Sequence, residues 1–119
     1  MPVRSLNSSV FKWPDKEAVD QAVRAWIETE KPKHAELCRF AYFGSYARGD
    51  CGVGSDLDLI AVVRNSSEPF YRRPLHWDLS GLPVPADLIV YTQGEWDQLM
   101  ESGSLLARTL AREAVWLFP

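Results

Sequence analysis

The sequence predicts an α/β fold of the α+β kind, a mixed sheet of about four strands with helices packed mainly on one face. Three observations point there. Apolar runs rich in β-branched and aromatic residues recur at 37–43, 58–63 and 86–91. Ahead of them, Val19, Ala22, Val23, Trp26 and Ile27 recur at helical spacing. Between the first two apolar runs lies a glycine- and serine-rich stretch, residues 44–55, which reads as a loop presented by two buried strands. The 119 residues read as a single domain, 1–119, large enough for one core and too small for two.

Each element follows in order. Residues 1–14 read as an irregular lead-in, with Pro2 and Pro14 among polar residues. Asp15 is placed to cap a helix running to residue 31, and Pro32 ends it. The strands 37–43 and 58–63 follow. The stretch 64–85 contains Pro69, Pro74, Pro83 and Pro85, which forbid a long helix. It reads as a flap or partner surface carrying Phe70, Tyr71, Leu75 and Trp77, with Arg72-Arg73 as a solvated charge pair. His76 has only the distant His34 as a fellow histidine and is not expected to bind metal. A third strand, 86–91, opens on Asp87, and a carboxylate there is costly unless it is exposed, paired or bound to a cation. Gly94 leads a short helix over 95–100. Ser102 or Ser104 caps another, ending near residue 113, with Leu105, Leu106, Thr109 and Leu110 facing inward. Residues 115–118 form a final edge strand.

The loop holds the chemistry. Gly44 lacks a Cβ, so a phosphate can approach the backbone there. Ser45 reads as an N-cap, with outward N–H groups after it where anions bind. Arg48 supplies a fork of donors for phosphate oxygens. Asp56 and Asp58, two residues apart on extended backbone, leave the same face of the sheet. Paired carboxylates repel unless a cation lies between them, and such hard oxygen donors suit Mg²⁺. A phosphate cradle beside a Mg²⁺ site is what phosphoryl or nucleotidyl transfer needs. Singly, each feature also has an ordinary structural reading as cap, turn or surface charge; their conjunction in one short loop carries the argument. No Gly-Lys-Ser/Thr occurs, which excludes a Walker loop, and Gly49, Gly52 and Gly54 fit no dinucleotide fingerprint.

Composition narrows the function classes. A net charge of −3 lacks the basic footprint of a dedicated nucleic-acid binder, although a local patch for nucleic acid stays possible. Cys38 and Cys51 have no Cys-x-x-Cys spacing, which implies a reducing cytoplasm rather than disulfides or zinc. No apolar run is long enough to span a membrane, and residues 1–7 lack the apolar core of a signal peptide.

Gly44-Ser45, ten intervening residues, then Asp56-Leu57-Asp58 resembles the signature of the DNA polymerase β-type nucleotidyltransferase superfamily. The inner Ala47-Arg48-Gly49 and Ser55-Asp56-Leu57-Asp58-Leu59 resemble its small prokaryotic branch, the minimal nucleotidyltransferases. The resemblance implies the nucleotidyltransferase fold and transfer of a nucleoside monophosphate, most often AMP from ATP, to a hydroxyl acceptor. It implies that Asp56, Asp58 and Asp87 hold two Mg²⁺ ions, with Asp87 also the general base; Asp78 and Asp97 are rivals for that third place. Gly44, Ser45, Arg48 and Ser55 would bind the nucleoside triphosphate. Members of this branch are commonly paired with a small helical HEPN-domain protein, as antitoxin with toxin, and that partner is the expectation here. The alternatives are an idle nucleotide-binding or interaction module, and a transferase acting on a small molecule or an RNA end.

Overall fold

The computed structural model describes residues 13–119, so most of the expected irregular lead-in, 1–14, lies outside the described residues. Helix α1, Lys16–Glu30, opens as its sequence dictates: the Asp15 carboxylate accepts the Ala18 N–H at 2.9 Å. Pro32 falls in a 3₁₀ turn, Lys31–Lys33, that ends it. Strand β1, Leu37–Phe43, leads into a one-turn helix α2, Ser45–Arg48, and strand β2 spans Leu57–Val63. Two 3₁₀ stretches, Phe70–His76 and Leu79–Gly81, precede strand β3, Ala86–Thr92. Helices α3, Gln93–Ser102, and α4, Leu105–Glu113, lead to the short strand β4, Val115–Phe118.

The four strands form one mixed sheet in the order β3-β2-β1-β4, with β2 and β3 parallel and the other pairs antiparallel. Strand β4 lies at an edge, as its brevity and position suggest.

Strand β2 decides how the layers stack. Leu57, Leu59, Ala61 and Val63 pack with Val19, Val23, Trp26 and Ile27 of α1, and with Phe40 of β1. Ile60 and Val62, which alternate with them, pack with Trp96 of α3 and Leu110 of α4. An inner strand apolar on both faces needs cover on both. The helices therefore divide between the two faces, α1 on one and α3 with α4 on the other.

Two expectations change. Thr92, not Gly94, caps α3: its hydroxyl accepts the Glu95 N–H while Glu95 Oε1 accepts the Thr92 N–H, a reciprocal capping box. In α4, capped by Ser104, the inward stripe is Ala107 and Leu110. Leu105 and Leu106, in its first turn, are exposed rather than inward.

The proline-rich crossover, 64–85, is anchored. Trp77 is buried beside Trp26 and Phe40, and its ring stacks on His34 at 3.6 Å with 7° between planes. Trp26 donates its indole N–H to the Asp78 carbonyl at 2.9 Å, and Asp78 N–H reaches Glu30 at 3.2 Å. Arg73 is not solvated: it is buried, forks onto both Glu95 oxygens at 2.6 and 3.2 Å, and donates to the Val90 carbonyl of edge strand β3. Phe70, Tyr71 and Leu75 stay exposed. No described helix is long and apolar enough to cross a membrane.

Candidate active site

Sheet register assembles the site. Asp58 lies opposite Phe43 on β1 and opposite Asp87 on β3. Side chains alternate along a strand, so Asp58 shares the face of Ile60 and Val62. Asp87 shares the face of Ile89 and Tyr91, which pack in the same cluster. Both carboxylates thus leave the α3/α4 face of the sheet, at the end where β1 runs into the loop. Asp56, just before β2, is exposed, as is Asp87, whereas Asp58 is half-buried.

Gly44 explains why the loop lies so close. It adopts φ 80° and ψ −150°, a region that side chains exclude, and it caps α2. A Cβ built there would collide with the Asp58 carboxylate, whose Cγ lies only 3.2 Å away. The phosphate-type loop and the acidic strand are therefore in backbone-to-side-chain contact, and glycine is what permits it. Gly44, not Ser45, is the cap; Ser45 is the first helical residue. The Gly44 carbonyl accepts from Ala47 and Arg48, and the first-turn N–H groups of Ser45 and Tyr46 have no helical partner.

Electrostatics mark Asp58 as the centre. Burial pushes its carboxyl above the ordinary range, the negative charges of Asp87 and Asp56 push it further, and Arg48 acts in the opposite sense. Among the described residues no hydrogen bond offsets this. Such a carboxylate in the field of two others is poised for a hard cation. Among the described residues no three acidic, histidine or cysteine side chains close into a preformed cage. The hard carboxylate oxygens of Asp56, Asp58 and Asp87 nevertheless suit a divalent metal as donors.

The remaining expected residues shape the loop. Arg48 ends α2, with Nε on Asp50 Oδ2 at 3.0 Å and an NH1 donor on Glu113 Oε1 at 3.3 Å. Gly49 follows at φ 86°, closing the turn. The Ser55 hydroxyl accepts the Gly52 N–H at 2.9 Å, which makes it a brace of the loop beside the acidic strand. Asp78 caps the Leu79–Gly81 turn through Ser80, and Asp97 pairs with Gln93 on α3; neither occupies the register position of Asp87.

Sequence reasoning missed two residues here. Tyr46 is buried beneath the loop, donates its hydroxyl to the Ser55 carbonyl at 3.3 Å and accepts the Trp13 indole N–H at 3.0 Å. A large aromatic inside an otherwise polar loop was its signal. Glu113 had none, because its partner lies 65 residues away. A cleft of about 270 Å³ lined by His34, Arg73, His76 and Trp77 opens at the far end of β2, beside Val63, away from the aspartates.

Residues 23–117 match the sequence profile of the nucleotidyltransferase domain. The chain belongs to that family. The nucleotidyltransferase also resembles in fold the 1.40 Å crystal structure of a candidate nucleotidyltransferase from Sulfolobus solfataricus. The TM-score is 0.61 at 22% identity, covering 85% of this chain and 80% of that one. No curated protein sequence matches significantly. The mixed four-strand α/β sheet is thus the nucleotidyltransferase fold, and the chain is a transferase of nucleotidyl groups.

Proposed function

We propose that this nucleotidyltransferase transfers AMP from ATP to a hydroxyl acceptor, in the manner of the minimal, antitoxin-type branch. The observation that carries the reading is the Asp58 carboxylate, set against Gly44 on one side and in register with Asp87 on the other. Asp56, Asp58 and Asp87 would hold two Mg²⁺ ions; when bound, these supply Lewis-acid activation of the acceptor hydroxyl and neutralise charge on the leaving pyrophosphate. The chain's own groups do the rest. Ser45 and the first-turn N–H groups receive triphosphate oxygens, Gly44 lets the Asp58 carboxylate lie against the loop, Arg48 adds charge, and Ser55 holds the loop in shape. The acceptor oxygen attacks the α-phosphorus, the bond to pyrophosphate breaks, and the acceptor proton passes to Asp87.

The acceptor wall is supplied by a partner. The three aspartates lie on an open face, and transfer chemistry needs water excluded and the acceptor held in line. Exposed Phe70, Tyr71 and Leu75 offer the aromatic content of an interface, which suits a small helical HEPN-type protein as acceptor. Two free thiols, Cys38 and Cys51, favour a cytoplasmic setting.

Asp58→Asn keeps size and removes one charge. Mg²⁺-dependent nucleotide binding should disappear, and transfer should fall by roughly 100-fold or more, while the fold persists. Calorimetry with Mg²⁺–ATP and a radiolabelled transfer assay measure both. Undiminished transfer in Asp58→Asn protein would overturn the reading.

A further inference from the structure

Glu113 occupies a position that its own helix disfavours. It is the last residue of α4, where the macrodipole is negative and a cation is preferred. Its side chain is only 11% exposed, so it carries a desolvation cost as well. Among the described residues, its one ion-pair partner is Arg48, 65 residues earlier and across the molecule on α2. Local structure does not account for a carboxylate there; the partner does.

Arg48, in turn, is held at two points. Asp50 accepts from Nε at 3.0 Å and Glu113 from NH1 at 3.3 Å. A guanidinium is a planar fork of five donors, so fixing Nε and one NH1 donor sets the plane and leaves the NH2 donors available. The charge so placed acts on Asp58. Half-exposed and at the end of a one-turn helix, Arg48 would otherwise lose its orientation to side-chain freedom.

We infer that Glu113 is a positioning residue: it aims Arg48 at the triphosphate, tying the α4–β4 junction to the nucleotide loop. The inference rests on the triphosphate reading of the loop and adds to it the residue that sets Arg48. Strand β4, which begins two residues after Glu113, pairs with β1 at Tyr42 beside that loop, so the same junction supports the site from both ends.

The sign of one measurement separates positioning from simple charge. Removing a carboxylate near an anion site should, by Coulomb's law alone, tighten anion binding. If Glu113 works by aiming Arg48, its removal weakens binding instead. The probe is magnesium tripolyphosphate, titrated calorimetrically into wild type, Glu113→Gln, Glu113→Ala, Arg48→Ala and Arg48→Ala/Glu113→Gln, with thermal melts as folding controls. Glu113→Gln should raise Kd by about two- to fivefold, the range of an exposed ion pair, and Glu113→Ala by at least as much. In the Arg48→Ala background the same Glu113→Gln change should leave Kd unchanged or lower it. If Glu113→Ala fails to fold, the near-isosteric Glu113→Gln carries the result alone. Unchanged or tighter binding in Glu113→Gln, or a penalty that persists undiminished without Arg48, overturns the inference. Wild-type protein that binds the probe but transfers no nucleotide overturns the proposed function and leaves this inference standing. Wild-type protein that binds no probe at all overturns both.

Discussion

Of the glycines, Gly44 has the closest neighbour, the Asp58 carboxylate, and each residue can be probed alone. Gly44→Ala faces two obstacles: a backbone conformation that costs about 1–3 kcal/mol for a residue with a Cβ, and a collision with the Asp58 carboxylate. Melting should fall by several degrees and Mg²⁺–nucleotide binding should be lost with it. Full binding in a well-folded Gly44→Ala protein would show that the contact does not shape the site. Asp58 gives a pH signature whose sign follows from its surroundings. Burial and the neighbouring charges raise its folded-state pKa, so the folded protein binds this proton more tightly than the unfolded chain. The contribution is therefore present in full below the ordinary carboxylate range, near pH 4, and is lost as pH rises through the raised folded value. Metal-free Asp58→Asn should accordingly lose stability less steeply than wild type as pH rises above about 4, in melting curves recorded with chelator. An identical pH dependence in the two proteins would show that Asp58 is not strained by its neighbours.

At the level of elements, legibility followed periodicity. Asp15 and the spacing Val19, Val23, Trp26, Ile27 announce α1, and three apolar runs announce β1, β2 and β3. The Gly-Ser and Asp-x-Asp residues were legible because fixed spacing in one loop survives folding unchanged. The crossover 64–85 was not, because nothing periodic tells Trp77 from Tyr71. What separates them is distant: Trp77 meets Trp26, His34 and Phe40, whereas Tyr71 is 76% exposed. Arg73 reads as solvated beside Arg72 until β3 and α3 place Val90 and Glu95 around it. The two-faced packing is present in the run 59–63, since both alternating sets are apolar there, but the pattern alone does not say which helix covers which set. Trp77→Ala should therefore cost about 3–5 kcal/mol in urea unfolding and open 64–85 to limited proteolysis. Tyr71→Ala should change stability by less than about 0.5 kcal/mol. Equal costs for the two would mean that the crossover is not pinned through Trp77.

At the scale of the whole molecule, the same crossover has two unlike sides. One side of it, through Trp77, Leu82 and Val84, completes the core beneath α1; the other leaves Phe70, Tyr71 and Leu75 in solvent. Arg73 ties that outer turn to β3 and to Glu95. Among the described residues Asp56 and Asp87 are exposed, and under the proposed function a partner seated on the patch is what would wall in the acceptor. Co-expression with the product of a neighbouring gene should yield a copurifying protein that gains the mass of a nucleotide only while Asp56 and Asp58 are intact. Tyr71→Asp with Leu75→Asp should abolish copurification without lowering the melting temperature, since both residues are more than 70% exposed. A partner retained by the double variant would place the interface elsewhere. Efficient transfer to a small molecule by the isolated chain would remove the need for a partner altogether.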